Sequence, residues 1–94
     1  MKIWQLGQRH DTNTIINPNF GYEDYAPDSP WRAVYDCAHG FIIQAETEGQ
    51  ARLIASDNHG DEGSDAWLSP KWSYCVELIV EGKSGVIMRD FHAA

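Results

Sequence analysis

Residues 40–60, GFIIQAETEGQARLIASDNHG, decide the fold, because a strand pattern passes directly into a helix pattern. In residues 40–45, Phe41, Ile43 and Ala45 fall on one face and Ile42 falls on the other. Such alternation is typical of a strand with one buried face. We therefore predict a strand at 40–45 that places one apolar face against a second layer.

The helix signal begins immediately after this strand. Thr47 and Gln50 have the spacing of a capping box. In this motif the Thr47 hydroxyl accepts a hydrogen bond from the Gln50 amide, and the Gln50 side chain accepts one from the Thr47 amide. Gly60 lies where a left-handed glycine would end the helix. An apolar stripe at helical spacing is formed by Ala51, Ile54, Ala55 and Asn58. This pattern predicts a helix of about three turns that packs on the sheet.

Outward from this unit, three further alternating segments predict strands at 2–6, 74–80 and 86–91, and residues 81–85 form a turn between the last two. Because strands lie on both sides of a single main helix, we expect the α+β class. The predicted layout is two-layer, with one main helix packed on a mainly antiparallel sheet of about four strands, in the order β-β-α-β-β.

Residues 1–94 are expected to form a single domain, since a chain of this length has little room for two cores. Residues 9–31 contain few periodic apolar positions and many turn formers, such as Asn17-Pro18 and Pro27-Asp28. We therefore predict a long irregular loop at about 9–31, which its aromatic side chains hold against the domain.

Charge limits the classes of partner. Fourteen Asp and Glu face seven Lys and Arg, and the net charge is −7. The basic residues are spread singly, so we expect no direct nucleic-acid binding, which depends on clustered Lys and Arg. No apolar stretch is long enough to cross a bilayer, and the N-terminus lacks the pattern of a signal peptide. The sequence predicts a cytoplasmic protein whose partner has a basic surface.

Two motifs resemble chemical sites without completing them. Residues 57–65 carry carboxylates as a calcium loop does, but Glu62 stands where a glycine is needed and Leu68 where a bidentate glutamate is needed. Cys37 and His39 could pair a thiol with a base or supply two zinc ligands, although structural zinc needs four. Cys37 and Cys75 are too few for a disulfide framework, and a single bridge between them stays open. We predict no catalytic residue, no cofactor and no metal.

Exposed aromatic side chains beside carboxylates are typical of protein interfaces that select a basic partner. Two such stretches are present, at 22–28 and 57–72. The predicted partner-binding residues are Tyr22, Glu23, Asp24, Tyr25, Asp28, Asp57, Asp61, Glu62, Asp65, Trp67 and Trp72.

The runs GFIIQAETEGQARLIA, GDEGSDAWLSP, CVEL and GVIMRDF, between Gly40 and Phe91, resemble small proteins encoded by phages and by bacterial genomes that carry phage-derived genes. The likeness covers a little over half of the chain. In size and acidity the chain is also similar to anti-CRISPR and other anti-defence proteins. The resemblance implies a phage protein that acts in the cytoplasm of a bacterial host.

We therefore expect a non-enzymatic, acidic protein-binding module. It would inhibit a nucleic-acid-binding complex of bacterial defence, of the CRISPR type, by nucleic-acid mimicry or steric blocking. One alternative is a small metal- or ligand-binding domain, with or without enzymatic activity, that uses residues 57–65 with Cys37 and His39. Another is a homodimeric accessory protein that pairs through a sheet edge, at the first or last strand. The chain is accordingly expected to be a monomer or a homodimer.

Overall fold

The computed structural model describes residues 1–16, 19 and 21–79. It has the predicted α+β class, with a three-stranded antiparallel sheet and a separate two-stranded one. The elements in chain order are β1 (Lys2–Gln8), α1 (His10–Asn13), β2 (Thr14–Ile16), β3 (Glu23–Tyr25), β4 (Gly40–Ala45), α2 (Glu48–Asp57), α3 (Asp65–Leu68) and β5 (Ser73–Leu78). Within the described ranges, no helix has the length and apolar character needed to cross a membrane.

The first strand lies in the middle of the main sheet, whose order is β4-β1-β5. Trp4 of β1 is opposite Ile43 of β4 on one side and Glu77 of β5 on the other. A homodimer that pairs through the first strand is therefore excluded, because both edges of β1 are already hydrogen-bonded. The strand predicted at 86–91 lies outside the described residues.

The second layer is α2, which packs on one face of this sheet. Ala51 and Ala55 are fully buried there, and their small side chains let the helix lie close to Leu6 and Ile43. Trp67 of α3 fills the space beside them and makes edge-to-face contacts with other rings. The contacting rings are Trp31, at 5.3 Å between centroids, and Phe41, at 4.9 Å.

Most of the buried face of α2 is as predicted, since Ala51 and Ala55 are buried and Ile54 packs against the core, and one half of the predicted capping box is present. Thr47 Oγ1 accepts a hydrogen bond from the Gln50 amide at 3.2 Å, but the Gln50 side chain accepts from the Glu46 amide instead of the Thr47 amide. The helix ends at Asp57, and Asn58, predicted to face the core, is exposed. The side chain that is buried in its place is that of Arg52.

Arg52 is 8% exposed and all of its donor groups have partners. Its guanidinium donates to the Trp67 carbonyl at 2.9 Å and to Ser73 Oγ at 2.9 Å, and its Nε donates to Glu48 at 3.0 Å. A buried arginine is tolerated only when it is paired and hydrogen-bonded in this way. It joins α2 to α3 and β5, which periodicity alone does not reveal.

The segment predicted to be an irregular loop at 9–31 contains α1 and the antiparallel pair of β2 and β3. Asn13, which is completely buried, organises it. Its side-chain amide donates to the Arg9 carbonyl at 2.7 Å and the Trp72 carbonyl at 2.8 Å, and its carbonyl accepts from Ser29 Oγ at 2.7 Å. The segment is therefore more regular than predicted, because one buried polar side chain bonds to both ends of the segment and to the turn before β5.

Candidate protein-binding surface

The side chain of Glu62 points into the protein and joins residues 57–65 to residues 36–39, which precede β4. It is 5% exposed. Its Oε1 accepts from the Ala38 amide at 2.9 Å and from the Gly60 amide at 3.0 Å, and its Oε2 accepts from Trp67 Nε1 at 2.5 Å. Glu62 and Trp67 were predicted to bind a partner, and both predictions are wrong, because these side chains are buried against each other. Trp67 is fully buried.

The hydrogen bonds keep Glu62 ionised despite its burial. Burial by itself would raise the pKa of this carboxyl group. The hydrogen bonds from Trp67, Ala38 and Gly60 favour the charged form more strongly, so the pKa of Glu62 lies below its ordinary value. The carboxylate is thus a permanent acceptor at neutral pH.

Gly60 is required for the close approach of two backbones. A Cβ at this position would lie 2.2 Å from the Asp36 carbonyl oxygen and 2.8 Å from the Cys37 Cα. Its φ is not positive, unlike that of Gly63, so the predicted left-handed helix end is wrong. Next to it, the Asp61 amide donates to the Asp36 carbonyl at 2.8 Å. The structure therefore brings the two sequence motifs, 36–39 and 57–65, into direct contact.

This contact brings two exposed aspartates together. Asp36 and Asp61 lie side by side, since the Asp36 amide also donates to Asp61 Oδ2 at 3.3 Å. Asp57, the last residue of α2, and Asp65, the first residue of α3, lie on either side of Asp61 in the chain. All four are exposed, and Tyr35 beside them is 92% exposed. We call these five residues, Tyr35, Asp36, Asp57, Asp61 and Asp65, the acidic end.

The acidic end has no cation partner for any of its carboxylates, a property that it shares with Asp24 and Glu46 but not with most other carboxylates of the described residues. Across residues 1–16, 19 and 21–79, none of its four aspartates is in an ion pair. Five carboxylates elsewhere do have a partner. These pairs are Lys2–Glu77, Arg9–Asp11, His10–Glu23, Arg52–Glu48 and Lys71–Asp28. The acidic end therefore carries negative charge that no ion pair among the described residues offsets.

The other predicted stretch, 22–28, is electrostatically mixed. Tyr22, Glu23, Asp24 and Asp28 are exposed, and Tyr25 is half-buried against the core. Glu23 lies 2.8 Å from His10 Nε2, and Asp28 lies 3.5 Å from Lys71 Nζ. These neighbours reduce the negative charge that a basic partner would meet.

Trp72 was predicted to bind a partner as well. It is half-buried and packs against the core, and Lys71 Nζ lies 4.4 Å from the centre of its ring. A cation already covers the accessible face of this ring. Trp72 is therefore a weaker interface anchor than Tyr35, whose side chain is almost wholly exposed.

Cys37 and His39 are adjacent, and their environment opposes nucleophilic chemistry. Cys37 Sγ lies 3.5 Å from His39 Nε2, and His39 Nδ1 lies 2.9 Å from Gln8 Nε2. Burial raises the pKa of the Cys37 thiol, and the negative charges of Glu62, Asp61 and Asp36 raise it further. A thiol nucleophile needs the opposite shift. Cys37 and Cys75 are both free thiols.

The same segments lack the geometry of a metal site. Among the residues that the structure describes, no three His, Cys, Asp or Glu side chains are grouped so that they could hold an ion. Glu62, the carboxylate nearest to Cys37 in this arrangement, already accepts hydrogen bonds from three residues. Nothing in these segments favours the metal- or ligand-binding alternative.

Sequence reasoning missed two members of the acidic end, Tyr35 and Asp36. Neither residue belongs to one of the two predicted binding stretches, 22–28 and 57–72. Their place beside Asp61 depends on a backbone contact between residues 25 positions apart, for which the sequence carries no local signal.

Comparison with known proteins gives no relative: no family model matches the chain, and no match was found among curated proteins or solved structures.

Proposed function

We propose that this protein is a non-enzymatic protein-binding module whose acidic end occupies a basic site on another protein. The observation that carries the proposal is the backbone contact between Asp36 and Asp61, which adds the exposed pair Tyr35 and Asp36 to the exposed aspartates at 57–65. Elsewhere in the described chain, most exposed carboxylates lie beside a basic side chain. Like charges held together repel each other, and a basic partner relieves that repulsion.

The partner class follows from the chemistry of such a surface. Aspartates fixed at the end of a rigid domain present negative charge as a phosphate backbone does, and an exposed tyrosine can stack as a base does. A site that normally holds nucleic acid offers Lys and Arg to the negative charge of the aspartates, and it offers aromatic or guanidinium planes to the tyrosine ring. The module would therefore compete with nucleic acid for its partner.

The buried network under the acidic end supports this role. Glu62 joins Ala38, Gly60 and Trp67, and the Asp61 amide is bonded to the Asp36 carbonyl. The backbone of Asp36 and Asp61 is thereby positioned before a partner arrives, which lowers the conformational entropy lost on binding.

The resemblance to small phage proteins suggests which partner to test first. We propose a nucleic-acid-binding complex of bacterial defence, of the CRISPR type, as the target, and the cytoplasm of the host cell as the place of action. Inhibition would follow from occupancy of the site, without turnover of any substrate.

A pull-down from nuclease-treated bacterial lysate tests the proposal. The protein is compared at about 0.1 M and about 1 M NaCl, between which the screening length falls from about 10 Å to about 3 Å. The test variant carries Asp36→Asn, Asp57→Asn, Asp61→Asn and Asp65→Asn. We expect the wild type to retain a nucleic-acid-binding protein at low salt and release it at high salt, and the variant to retain none.

A matched control removes the same amount of charge elsewhere. Asp11→Asn, Glu23→Gln, Asp28→Asn and Glu77→Gln neutralise four carboxylates that each lie beside a Lys, Arg or His side chain, so both variants change the net charge from −7 to −3. The control should bind as the wild type does. An equal loss of bound partner in the two variants would show that binding depends on net charge and not on the acidic end, which contradicts the proposal.

A further inference from the structure

Strand β4 is an edge strand without the usual protection. Among the described strands it pairs only with β1, so its other backbone edge has no strand partner there. Natural edge strands are commonly interrupted by Lys, Pro or a bulge that blocks pairing with another chain. The β4 sequence GFIIQA contains no charge and no proline, and its pairing with β1 runs from Gly40 to Ala45 without a bulge.

The exposed apolar surface of β4 strengthens this observation. Ile42 is 61% exposed, on the face of the sheet opposite α2. Strand β5, the other described edge of the sheet, differs in carrying the charged residue Glu77. Of these two edge strands, β4 is the one that contains no charged residue.

We infer that β4 pairs antiparallel with the β4 of a second copy of this chain, which joins the two three-stranded sheets into one of six strands. A pairing centred on Ile42 sets Phe41 opposite Ile43, and Gly40 opposite Gln44. In this register, β4 residues that face α2 in one copy lie opposite β4 residues that face α2 in the other copy. Both α2 helices therefore lie on the same side of the six-stranded sheet.

Charge identifies the occupant as a second copy. Two molecules with a net charge of −7 repel each other over most of their surface, and they approach most easily along a segment that carries no charge. The strand itself offers a basic partner no carboxylate, since residues 40–45 carry no charge. The charged residues Asp36 and Glu46 flank the strand, which limits the pairing to about six residues.

The dimer is expected to be weak and reversible. Six paired residues bury less than the roughly 800 Å² per partner of a standard stable interface. Association should therefore depend on protein concentration in the range from about 10 μM to about 1 mM, where small interfaces form.

Sedimentation velocity over this concentration range tests the inference. The wild-type mass should rise from 10.6 kDa towards twice that value. Ile42→Lys should stay monomeric, because it places two like charges opposite each other at the two-fold axis. Val76→Lys is the matched control, because Val76 is 45% exposed and lies on the same face, in β5. It should dimerise as the wild type does.

A wild type that stays at 10.6 kDa at the highest concentration would overturn the inference, and so would equal loss of dimer in both lysine variants. Amide hydrogen exchange of the unsubstituted protein supplies a second readout that needs no variant. Exchange at residues 40–45 should slow as concentration rises, while residues 73–78 stay unchanged. Exchange at 40–45 that is independent of concentration would also overturn the inference.

Discussion

Replacement of Glu62 by alanine removes the acceptor for three groups at once, the amides of Ala38 and Gly60 and the indole N–H of Trp67. Each donor left buried without a partner costs about 1–3 kcal/mol. Water that enters the vacated space recovers part of this, so the three costs do not simply add. We expect Glu62→Ala to lower the free energy of unfolding by about 3–5 kcal/mol, the range seen when a buried charged network is broken.

Urea denaturation followed by tryptophan fluorescence measures this loss, since Trp31 and Trp67 lie in the affected core. Glu62→Gln keeps one acceptor oxygen but turns an N–H₂ group towards a donor, so we expect an intermediate loss of about 1–3 kcal/mol. Asp57→Ala is the control, because Asp57 is exposed at the end of α2 and should cost no more than about 0.5 kcal/mol. A loss below about 1 kcal/mol for Glu62→Ala, or an equal loss for the control, would refute the reasoning.

Three further predictions follow from the same region. Because the fold lowers the pKa of Glu62, its carboxylate stabilises the protein above the ordinary value of 4.5, and this contribution is lost as pH falls through the lowered pKa. Urea titrations of wild type and Glu62→Gln should therefore differ at pH 7 and converge in acid, whereas a constant difference would contradict the assignment. Gly60→Ala should lower the melting temperature, because its Cβ would collide with the Asp36 carbonyl, while Gly49→Ala in α2, with no atom within 4 Å, should not. In a Cys75→Ser variant, native Cys37 should react with a disulfide reagent at pH 7 more slowly than the same thiol does in urea, because its pKa is raised in the fold. A faster reaction in the native protein would indicate an activated thiol.

The elements that local patterns specify could be predicted from the sequence. The strand at 40–45, the start of α2 at Thr47 and the strand beginning near Tyr74 each depend on residues a few positions apart, and the structure contains all three. The single helical turn α3 follows Ser64, whose side chain makes no capping hydrogen bond, so it has a weaker local signal than α2. Together these elements are enough to indicate the α+β class.

Features that depend on long-range contacts could not be predicted in this way. The burial of Glu62 requires the Ala38 amide, 24 residues away, and the burial of Arg52 requires Ser73, 21 residues away. An acidic residue in an acidic loop therefore looked exposed, and an arginine on a helix looked like a surface residue. The central place of β1 is likewise set by strand order, which strand patterns do not specify.

The candidate site was predicted in part for the same reason. Asp57, Asp61 and Asp65 were identified from local composition, and they are exposed in the structure. Tyr35 and Asp36 were not identified, because the backbone contact at Gly60 brings them to the same end.

The most direct test of the account is competition between nucleic acid and the acidic end for the captured partner. The partner retained by the wild type is incubated with increasing amounts of a single-stranded oligonucleotide, and the bound fraction is measured at constant salt. We expect the oligonucleotide to displace the protein, and Tyr35→Ala to be displaced at a lower oligonucleotide concentration than the wild type. A partner that stays bound at saturating oligonucleotide would contradict the claim that the acidic end occupies a nucleic-acid site.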